Sequence, residues 1–588
     1  ATRQLYFGDL HVHSGWSFDA FAAGISSRPA DAYTFARGGT IQHPTAGEIQ
    51  LSGPPLDFIA LTEHAEYLGL HAALALPKHP IGRMPIVKAF RSGDRERHQA
   101  AWRAIRRSYG ADEPIPAFTS DSVLVPAWRA LIRSANRHDA PGEFTAFIGF
   151  EYSPAPDGQN LHRNVLFRGA RAPDRPFSAM DSQNPEDLWA WMDATRSEGF
   201  ELLAIPHNPN GSNGLMFAAT RFDGSPIDAE WIRTRARNEP VAEVTQVKGP
   251  SETHPSLSPE DEWADFEIFD RRTIRPGLPS EPRGSYVRDA LSTGLLLASR
   301  HGSNPYRLGM VGATDGHNAS SPFEERSYHG KMGTSDGTPE RRLAPRIQGG
   351  DPADRPVMAH WGASGISGVW ATANERGAIF DAIARRETFA TTGPRIRVRF
   401  FGGFGFEPGD EREGIEQTGD RRGVAMGGVL RREPDGPAPS FLIAAQADPL
   451  DAPLERIQIV KGWHDGERAR ERIYDVGCAR GDRPDPATHR CPRRAAEPDS
   501  STCAPSTAQG SSELRAHWQD PDDLPDGGVF YYVRVLQIPT CRWSSWDALR
   551  LEQPPPAGLP TSIQERGFTS PIWVEPAPGA AQESQSPG

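Results

Sequence analysis

The sequence predicts an α/β fold in which a parallel α/β barrel precedes an all-β, sandwich-like region. Up to about residue 390, short runs of β-branched and aromatic residues alternate with helical stretches. From about residue 395 onward, runs of alternating polarity follow one another, separated by loops rich in Pro, Gly and Arg. A third observation concerns chemistry: most of the predicted barrel strands carry a histidine or an acidic residue at or near one end.

Seven apolar runs predict the strands of the barrel, at 5–10, 57–62, 144–150, 162–168, 201–206, 241–247 and 309–314. Helical patterns lie between them, at 29–39, 95–110, 122–139 and 184–199. Because strand and helix alternate, the strands are expected to run parallel. Enzymes of this architecture carry their functional groups at the carboxyl ends of the strands.

The second region contains further strand candidates, at 395–401, 440–447, 454–463, 512–518, 528–538 and 570–576. The stretch 373–394 resembles a last helix followed by a linker. The predicted organisation is therefore a barrel over 1–390, a β-sandwich-like domain over 391–576 and a disordered tail over 577–588.

The overall charge argues against some classes of partner. The formal net charge is −12, whereas nucleic acids and anionic membrane surfaces are bound by basic patches. No apolar stretch reaches the roughly 18 residues that a membrane span requires. The expected partner is a small anionic molecule, attracted locally by bound cations, and the sequence carries no indication of the oligomeric state.

The four cysteines all lie in the second region, at Cys478, Cys491, Cys503 and Cys541. They include no C-x-x-C pair, which disfavours a zinc knuckle, and two disulfides are the preferred interpretation over four free thiols. Four cysteines allow three pairings, and the sequence does not choose between them. The chain begins at Ala1, as it would after removal of a signal peptide. Both observations predict a periplasmic or secreted protein.

Nine side chains of metal-binding type stand at the ends of the apolar runs: His11, His13, Asp19, His64, Glu151, His162, His207, Asp315 and His317. Two histidines at positions i and i+2 of a strand project to one face, so His11 and His13 can chelate a single cation. Glu151 and Asp315 end strongly apolar runs, where an unpaired buried charge is costly without a metal or a hydrogen-bond partner. One such carboxylate is often structural, but together the nine indicate a site for two or three divalent cations.

The order of these motifs resembles the PHP (polymerase and histidinol phosphatase) superfamily. The H-x-H pair, the T-E-H motif at 62–64, Glu151, the isolated His162, the P-H pair at 206–207 and the D-x-H motif at 315–317 follow in the order of that superfamily. The phrases YFGDLHVHS, FTAFIGFEY and NPYRLGMVGATDGHN resemble a secreted PHP-like branch that is labelled a domain of unknown function. FYYVRVLQIPTCRW extends this resemblance into the second region. The resemblance to the PHP superfamily implies that the first region is a distorted (β/α)7 barrel.

The resemblance also implies three linked ion positions, with Glu151 as the bridge between the first two. The three sets of ligands are His11, His13, Glu151 and Asp315; Glu151, His162 and His207; and Asp19, His64 and His317. The chain has Asp19 where a histidine can stand in relatives, and Glu63 where Asp is commoner. The additional oxygen ligand suits Mn or Fe as well as Zn.

The predicted function is that of a metal-dependent phosphoesterase, acting on a phosphate monoester or diester with water activated by the metal cluster. Glu151, Asp315 and His317 would act through that cluster, and no side-chain nucleophile is predicted. Two alternatives are a hydrolase of sulfate esters, phosphonates or amides, and a non-catalytic metal-binding protein. The candidate substrate contacts, each equally interpretable as a loop or supporting residue, are Arg163, Asn164, Asn208, Asn210, Lys248, Arg307 and Asn318.

Overall fold

A computed structural model describes the chain over residues 2–577, apart from 72–79, 111–112, 274, 276, 346–355, 363, 413, 434–435 and 494–496. All but the first residue of the predicted disordered tail at 577–588 therefore lies outside the described residues. Within the described residues, the chain forms one large mixed sheet, a second four-stranded sheet and three two-stranded sheets.

The strands of the first region are β1 Gln4–Val12, β2 Ile41–His43, β3 Gly47–Ile49, β4 Phe58–Leu61, β5 Thr145–Tyr152, β6 Arg163–Phe167, β7 Leu202–Pro206, β8 Val241–Thr245, β9 Gly309–Gly312, β10 Ile366–Ala371 and β11 Thr388–Thr391. Those of the second region are β12 Arg397–Gly403, β13 Gly423–Ala425, β14 Val429–Arg432, β15 Ser440–Gln446, β16 Leu454–His464, β17 Ala469–Cys478, β18 Glu513–Gln519, β19 Val529–Gln537, β20 Thr540–Cys541, β21 Ser562–Ile563, β22 Arg566–Thr569 and β23 Ile572–Pro576. The helices span Phe18–Ala22, Pro29–Ala36, Pro85–Arg91, Arg95–Gly110, Asp121–His138, Pro185–Ser197, Ala229–Asn238, Val287–His301, Pro339–Arg342, Arg376–Ala384, Ile415–Arg422 and Trp543–Arg550.

The seven strands predicted for the barrel all form, but they are not all parallel. β1, β4 and β5 pair in parallel, as do β8 and β9. β6 runs antiparallel to both β5 and β7, which corrects the prediction of a uniformly parallel sheet. Just after β9, Gly316 forms an isolated parallel β-bridge with Val12 of β1. Among the described residues, however, no hydrogen-bonded ladder joins β7 to β8, so the strands do not form a closed barrel.

The strands of the first region are apolar because both of their faces are covered. Every residue of β5 is buried, as expected for a strand between two layers. On one face, Trp128 of the helix Asp121–His138 packs edge-on against Phe150, with ring centroids 5.7 Å apart. Phe147 of the same strand contributes to another apolar cluster, together with Ile379 of the helix Arg376–Ala384.

The stretch 373–394, predicted as a last helix and a linker, contains a strand as well as the helix Arg376–Ala384. The strand is β11, and β10 precedes the helix. β10 pairs antiparallel with β1 and β11 pairs antiparallel with β10. β22 from the second region then pairs with β11. One hydrogen-bonded sheet of thirteen strands therefore crosses the boundary predicted at residue 390.

The strand runs predicted for the second region appear as β12, β15, β16, β18, β19 and β23. β16, β19 and β23 belong to the large sheet, whereas β12, β15 and β18 belong to a separate antiparallel sheet. Aromatic rings join these two layers, since Phe441 of β15 lies 4.6 Å from Tyr531 of β19, centroid to centroid. The two sheets thus share an apolar interface, as in a sandwich.

Both predicted disulfides form, between Cys478 and Cys491 and between Cys503 and Cys541. No helix in the described part of the chain is both long and apolar enough to cross a bilayer.

A buried ion network joins the two regions. Arg534 of β19 contacts Asp261 at 2.7 Å and Glu252 at 3.2 Å. Arg288, on the helix Val287–His301, contacts the same Glu252 at 2.6 Å. Because all of these groups are buried, removing one partner leaves uncompensated charge in a medium of low dielectric constant.

Arg534→Met is therefore expected to lower the free energy of unfolding by about 3–5 kcal/mol, because it leaves Asp261 buried without its main partner. Arg470→Met provides a matched control on β17, where the Arg470–Asp465 pair is exposed to solvent and is expected to contribute little to stability. Urea denaturation of both variants measures the difference. Equal losses would contradict a stabilising role for the buried network.

Candidate metal centre

The nine candidate ligands converge at one edge of the strands of the first region. His11 lies near the carboxyl end of β1, Glu151 near that of β5, and His207 directly after β7. His162 directly precedes β6, and because β6 is antiparallel to β5 its start lies at this same edge. The reversed strand thus explains why this histidine opens its apolar run rather than closing it.

Glu151 stands at the centre of the cluster, with an exposed side-chain fraction of 1%. Its Oε2 atom lies 3.3 Å from His11 Nε2 and 3.1 Å from His13 Nε2. Its Oε1 atom lies 2.7 Å from His162 Nδ1 and 3.2 Å from His207 Nε2. The two oxygens of one carboxylate therefore face two separate pairs of imidazoles.

The other two candidate carboxylates also contact imidazoles of the cluster. Asp315 Oδ1 lies 3.3 Å from His11 Nε2 and 3.5 Å from His13 Nε2. Asp19, on the helix Phe18–Ala22, places Oδ1 3.4 Å from His64 Nε2 and Oδ2 2.9 Å from His317 Nε2. All nine predicted residues are thus brought together.

The unsatisfied atoms of the cluster fit bound cations. His13 Nε2, His162 Nε2 and both ring nitrogens of His207 are buried, and none of them makes a well-oriented hydrogen bond to a described residue, although Glu151 lies close to His13 and His207. Such orphaned buried groups are rare unless a ligand, an ion or a water completes them. Within the cluster and its neighbour Glu243, possible ligand atoms also form four sets of three, in each of which the atoms lie within 4.8 Å of one another. The sets are His13, His64 and His317; His11, His207 and Glu243; His11, His13 and Glu151; and Glu151, His162 and His207.

Burial and local charge set the protonation of the ring nitrogens. Burial lowers the pKa of His162 to about 4 and that of His13 well below its usual range, which leaves both rings neutral, as metal coordination requires. Burial also opposes charge on His11, but Asp315, Glu243 and Glu151 outweigh it and raise the pKa of that ring to about 10. A cation among these carboxylates would take over the charge compensation that His11 otherwise provides.

Several side chains behind the cluster orient its rings. Glu243 Oε2 lies 3.0 Å from His11 Nδ1, and Ser17 Oγ lies 2.7 Å from His13 Nδ1. Ser153 Oγ lies 2.6 Å from His64 Nδ1. Partners of this kind fix the tautomer and direction of a ligating histidine.

The backbone is also unusual here. Asp315 and Asn208 adopt the left-handed conformation, with φ of 58° and 45°. Asp and Asn tolerate this conformation better than most residues, and such positions concentrate at functional sites.

Of the predicted substrate contacts, Lys248 lies at the site. Its Nζ lies 2.7 Å from Asp315 Oδ2 and faces the cavity above the cluster. Asn208 and Asn164 are buried beside the cluster, and Gln246 donates to Asn208 Oδ1 at 2.7 Å. Asn210 braces the neighbouring loop by donating to the carbonyl oxygens of Lys248 and Phe269. Asn318 donates to Lys331 O at 3.1 Å.

Two predicted substrate contacts lie elsewhere, and both predictions are corrected. Arg163 is 1% exposed and pairs with Glu239 at 3.0 Å, because alternation along β6 turns its side chain away from the face of Asn164. Arg307 precedes β9, at the end opposite Asp315, and pairs with Glu575 at 2.5 Å.

Two important residues were not singled out from the sequence. Glu243 lies inside the apolar run of β8, beside which the sequence predicts only Lys248 as a candidate site residue. An acidic residue inside an apolar run could have identified Glu243 from the sequence as a candidate site residue. Lys331 comes from the segment after the last ligand and places Nζ 2.8 Å from Asp315 Oδ1 and 2.7 Å from His317 Nδ1. Nothing in its local sequence indicates this position.

Residues 1–576 match a family described as a protein of unknown function (DUF3604). The chain belongs to this family. The assignment confirms the expected branch of unknown function, since it spans both regions of the chain.

No curated protein matches this DUF3604 chain. Among solved structures, it is similar to a two-domain protein from Bacteroides vulgatus, which is described as containing a predicted PHP-like metal-dependent phosphoesterase. The similarity has a TM-score of 0.30 and 11% sequence identity, and covers 96% of this chain and 95% of the other.

A cavity of about 1120 Å³ opens above the cluster of the DUF3604 chain. Its base is formed by candidate ligands together with the two lysines, and the residues concerned are Asp19, His64, Glu151, His162, Lys248, Asp315, His317 and Lys331. The potential metal centre is therefore open to a ligand through this cavity.

Glu243→Gln is expected to weaken the binding of zinc by about 10–100-fold, because it removes the charged partner of His11. Glu230→Gln serves as a control, since Glu230 is exposed on the helix that precedes β8. Competition with a chelating dye measures both affinities. Unchanged affinity in Glu243→Gln would show that this contact does not support the centre.

Proposed function

We propose that this protein is a metal-dependent phosphoesterase. The observation that carries the proposal is the convergence of six histidines on three carboxylates, with Glu151 shared between two pairs of imidazoles. A purely structural zinc site needs only four closed ligands. A larger, linked set at the base of a cavity is instead typical of sites where cations also contact a substrate.

The residues would hold the cations in three overlapping sets. The sets are His11, His13, Glu151 and Asp315; Glu151, His162 and His207; and Asp19, His64 and His317. Zn, Mn or Fe fits this mixture of imidazole and carboxylate donors. When bound, such cations lower the pKa of water and neutralise charge on a phosphoryl group.

The side chains of the protein would contribute position and charge. Glu151, Asp315 and His317 act by holding the cations, and no side-chain nucleophile is proposed. Lys248 and Lys331 contact the two oxygens of Asp315 and also line the cavity. Their ammonium groups are therefore placed to attract an anionic ester and to stabilise negative charge that develops on it. Asn208 supports this arrangement through Gln246, which also contacts Asp315 at 3.1 Å.

The disulfides support a periplasmic or secreted location, because such bonds persist in oxidising compartments. Reduction by the cytosolic thiol pool would instead leave four free thiols.

Thiol titration of the denatured protein, isolated from its native compartment, is expected to find no free thiol before reduction and four afterwards.

Glu151→Ala is expected to remove bound metal and to lower hydrolysis of an aryl phosphate by on the order of a thousandfold or more. Glu143→Ala is the matched control, because its side chain is 79% exposed just before the same strand. Metal analysis and a panel of aryl monophosphate, bis-aryl phosphate and aryl sulfate provide the measurements.

Turnover of a phosphate ester by the wild type and by Glu143→Ala, but not by Glu151→Ala, would support the proposal. Turnover of the sulfate alone would replace the phosphoesterase by a sulfatase. Absence of metal and of all turnover would contradict an enzymatic role.

A further inference from the structure

The cavity above the metal centre is much larger than a phosphate group. Its volume of about 1120 Å³ is in the range of sites that enclose a drug-sized ligand, about 300–1,000 Å³, or slightly larger. The candidate ligands and the two lysines occupy only its base. The remaining walls are therefore available to the organic part of a substrate.

One wall is aromatic and begins at the metal centre itself. The ring of Phe18 lies 5.1 Å from that of His64, centroid to centroid. Phe18 also lies 5.8 Å from Tyr109 and 6.1 Å from Trp102, and all three aromatic residues line the cavity. On the segment that follows the last ligand, Trp361 contributes a further aromatic ring to the lining. Such walls bind flat, apolar groups.

A second feature of the lining is a cluster of arginines without acidic partners. Arg103 and Arg107 lie four residues apart on the helix Arg95–Gly110, so they share one face. Arg275, whose side chain packs on Gly158, lines the same cavity. None of the three forms an ion pair with a residue that the structure describes.

Outside the metal centre, the side chains that line the cavity carry more positive than negative charge. Glu113 is the acidic residue outside the metal centre that lines the cavity, against the three arginines. Two like charges at positions i and i+4 of a helix destabilise it slightly. Their presence at a cavity wall is explained if an anionic group of a ligand lies between them, since arginine binds carboxylate and phosphate oxygens through paired N–H donors.

We propose that the substrate is a phosphate ester whose leaving group is aromatic and carries a second negative charge. The phosphoryl group lies at the metal centre, the ring contacts Phe18 and Trp102, and the distal anion contacts Arg103 and Arg107. This inference rests on the proposed phosphoesterase function and specifies the class of its substrate.

The test uses non-hydrolysable phosphonates, so that binding is measured without turnover. The probes are 4-(phosphonomethyl)benzoate and its biphenyl homologue. Each is compared with the methyl ester of its carboxylate, which keeps the phosphonate but lacks the distal negative charge. Titration calorimetry on the metal-loaded, full-length protein gives the dissociation constants. At least one acid is expected to bind about five- to tenfold more tightly than its methyl ester, as two partly exposed charge pairs would provide.

Arg103→Gln/Arg107→Gln is expected to abolish this preference while leaving the affinity for the methyl ester unchanged. Arg129→Gln/Arg133→Gln is the matched control, because these exposed arginines have the same spacing on the helix Asp121–His138 and lie outside the cavity lining. The control is expected to retain the full preference.

Equal affinity for acid and ester at both lengths would overturn the proposal, as would a preference that survives in Arg103→Gln/Arg107→Gln. Failure of every phosphonate to bind would overturn it as well. If aryl phosphates are hydrolysed but charge has no effect on binding, the phosphoesterase function stands and the distal anion site is wrong. If charge-dependent binding occurs without any turnover, the distal site is supported and the phosphoesterase function is wrong.

Discussion

The shared carboxylate of Glu151 is the constraint on which the site depends. It is buried, and its two oxygens face the two pairs of imidazoles, while Oε2 also lies 3.5 Å from His64 Nδ1, so that four segments of the chain meet at this carboxylate. A buried carboxylate among further carboxylates is costly unless cations compensate it. Lys248 and Lys331 compensate Asp315. His13 Nε2, His162 Nε2 and both ring nitrogens of His207 nevertheless lack hydrogen bonds in the described structure. Bound metal ions would satisfy both the charge and the unpaired nitrogens.

The sequence predicted the positions of the strands, and the nine side chains that converge, better than it predicted which strands pair and in which direction. Apolar runs marked the strands of the first region because both of their faces are buried, but a run carries no information about its direction in the sheet. The reversal at β6 therefore became visible only in the structure. Arg163 and Arg307 were misplaced because proximity to a ligand in sequence indicates neither the face nor the end of a strand. Lys331 reaches Asp315 through tertiary folding alone.

The second region contributes to the cavity although it supplies none of its candidate ligands. Arg542 and Trp543 both donate to the backbone oxygen of Trp361, at 2.9 Å and 3.0 Å. Trp361 in turn lines the cavity. Together with the sheet that crosses residue 390, these bonds make the second region a support for one wall of the site. The two regions are therefore connected through the cavity as well as through the sheet.

Anomalous X-ray diffraction tests the central claim most directly, because it locates metal ions without assuming an activity. Crystals of protein purified without chelators would be measured on both sides of the Zn, Mn and Fe absorption edges. The account predicts at least two anomalous peaks within the cluster, one of them between Glu151 and the pair His162 and His207. The absence of any peak among the nine residues from protein supplied with these metals would contradict it.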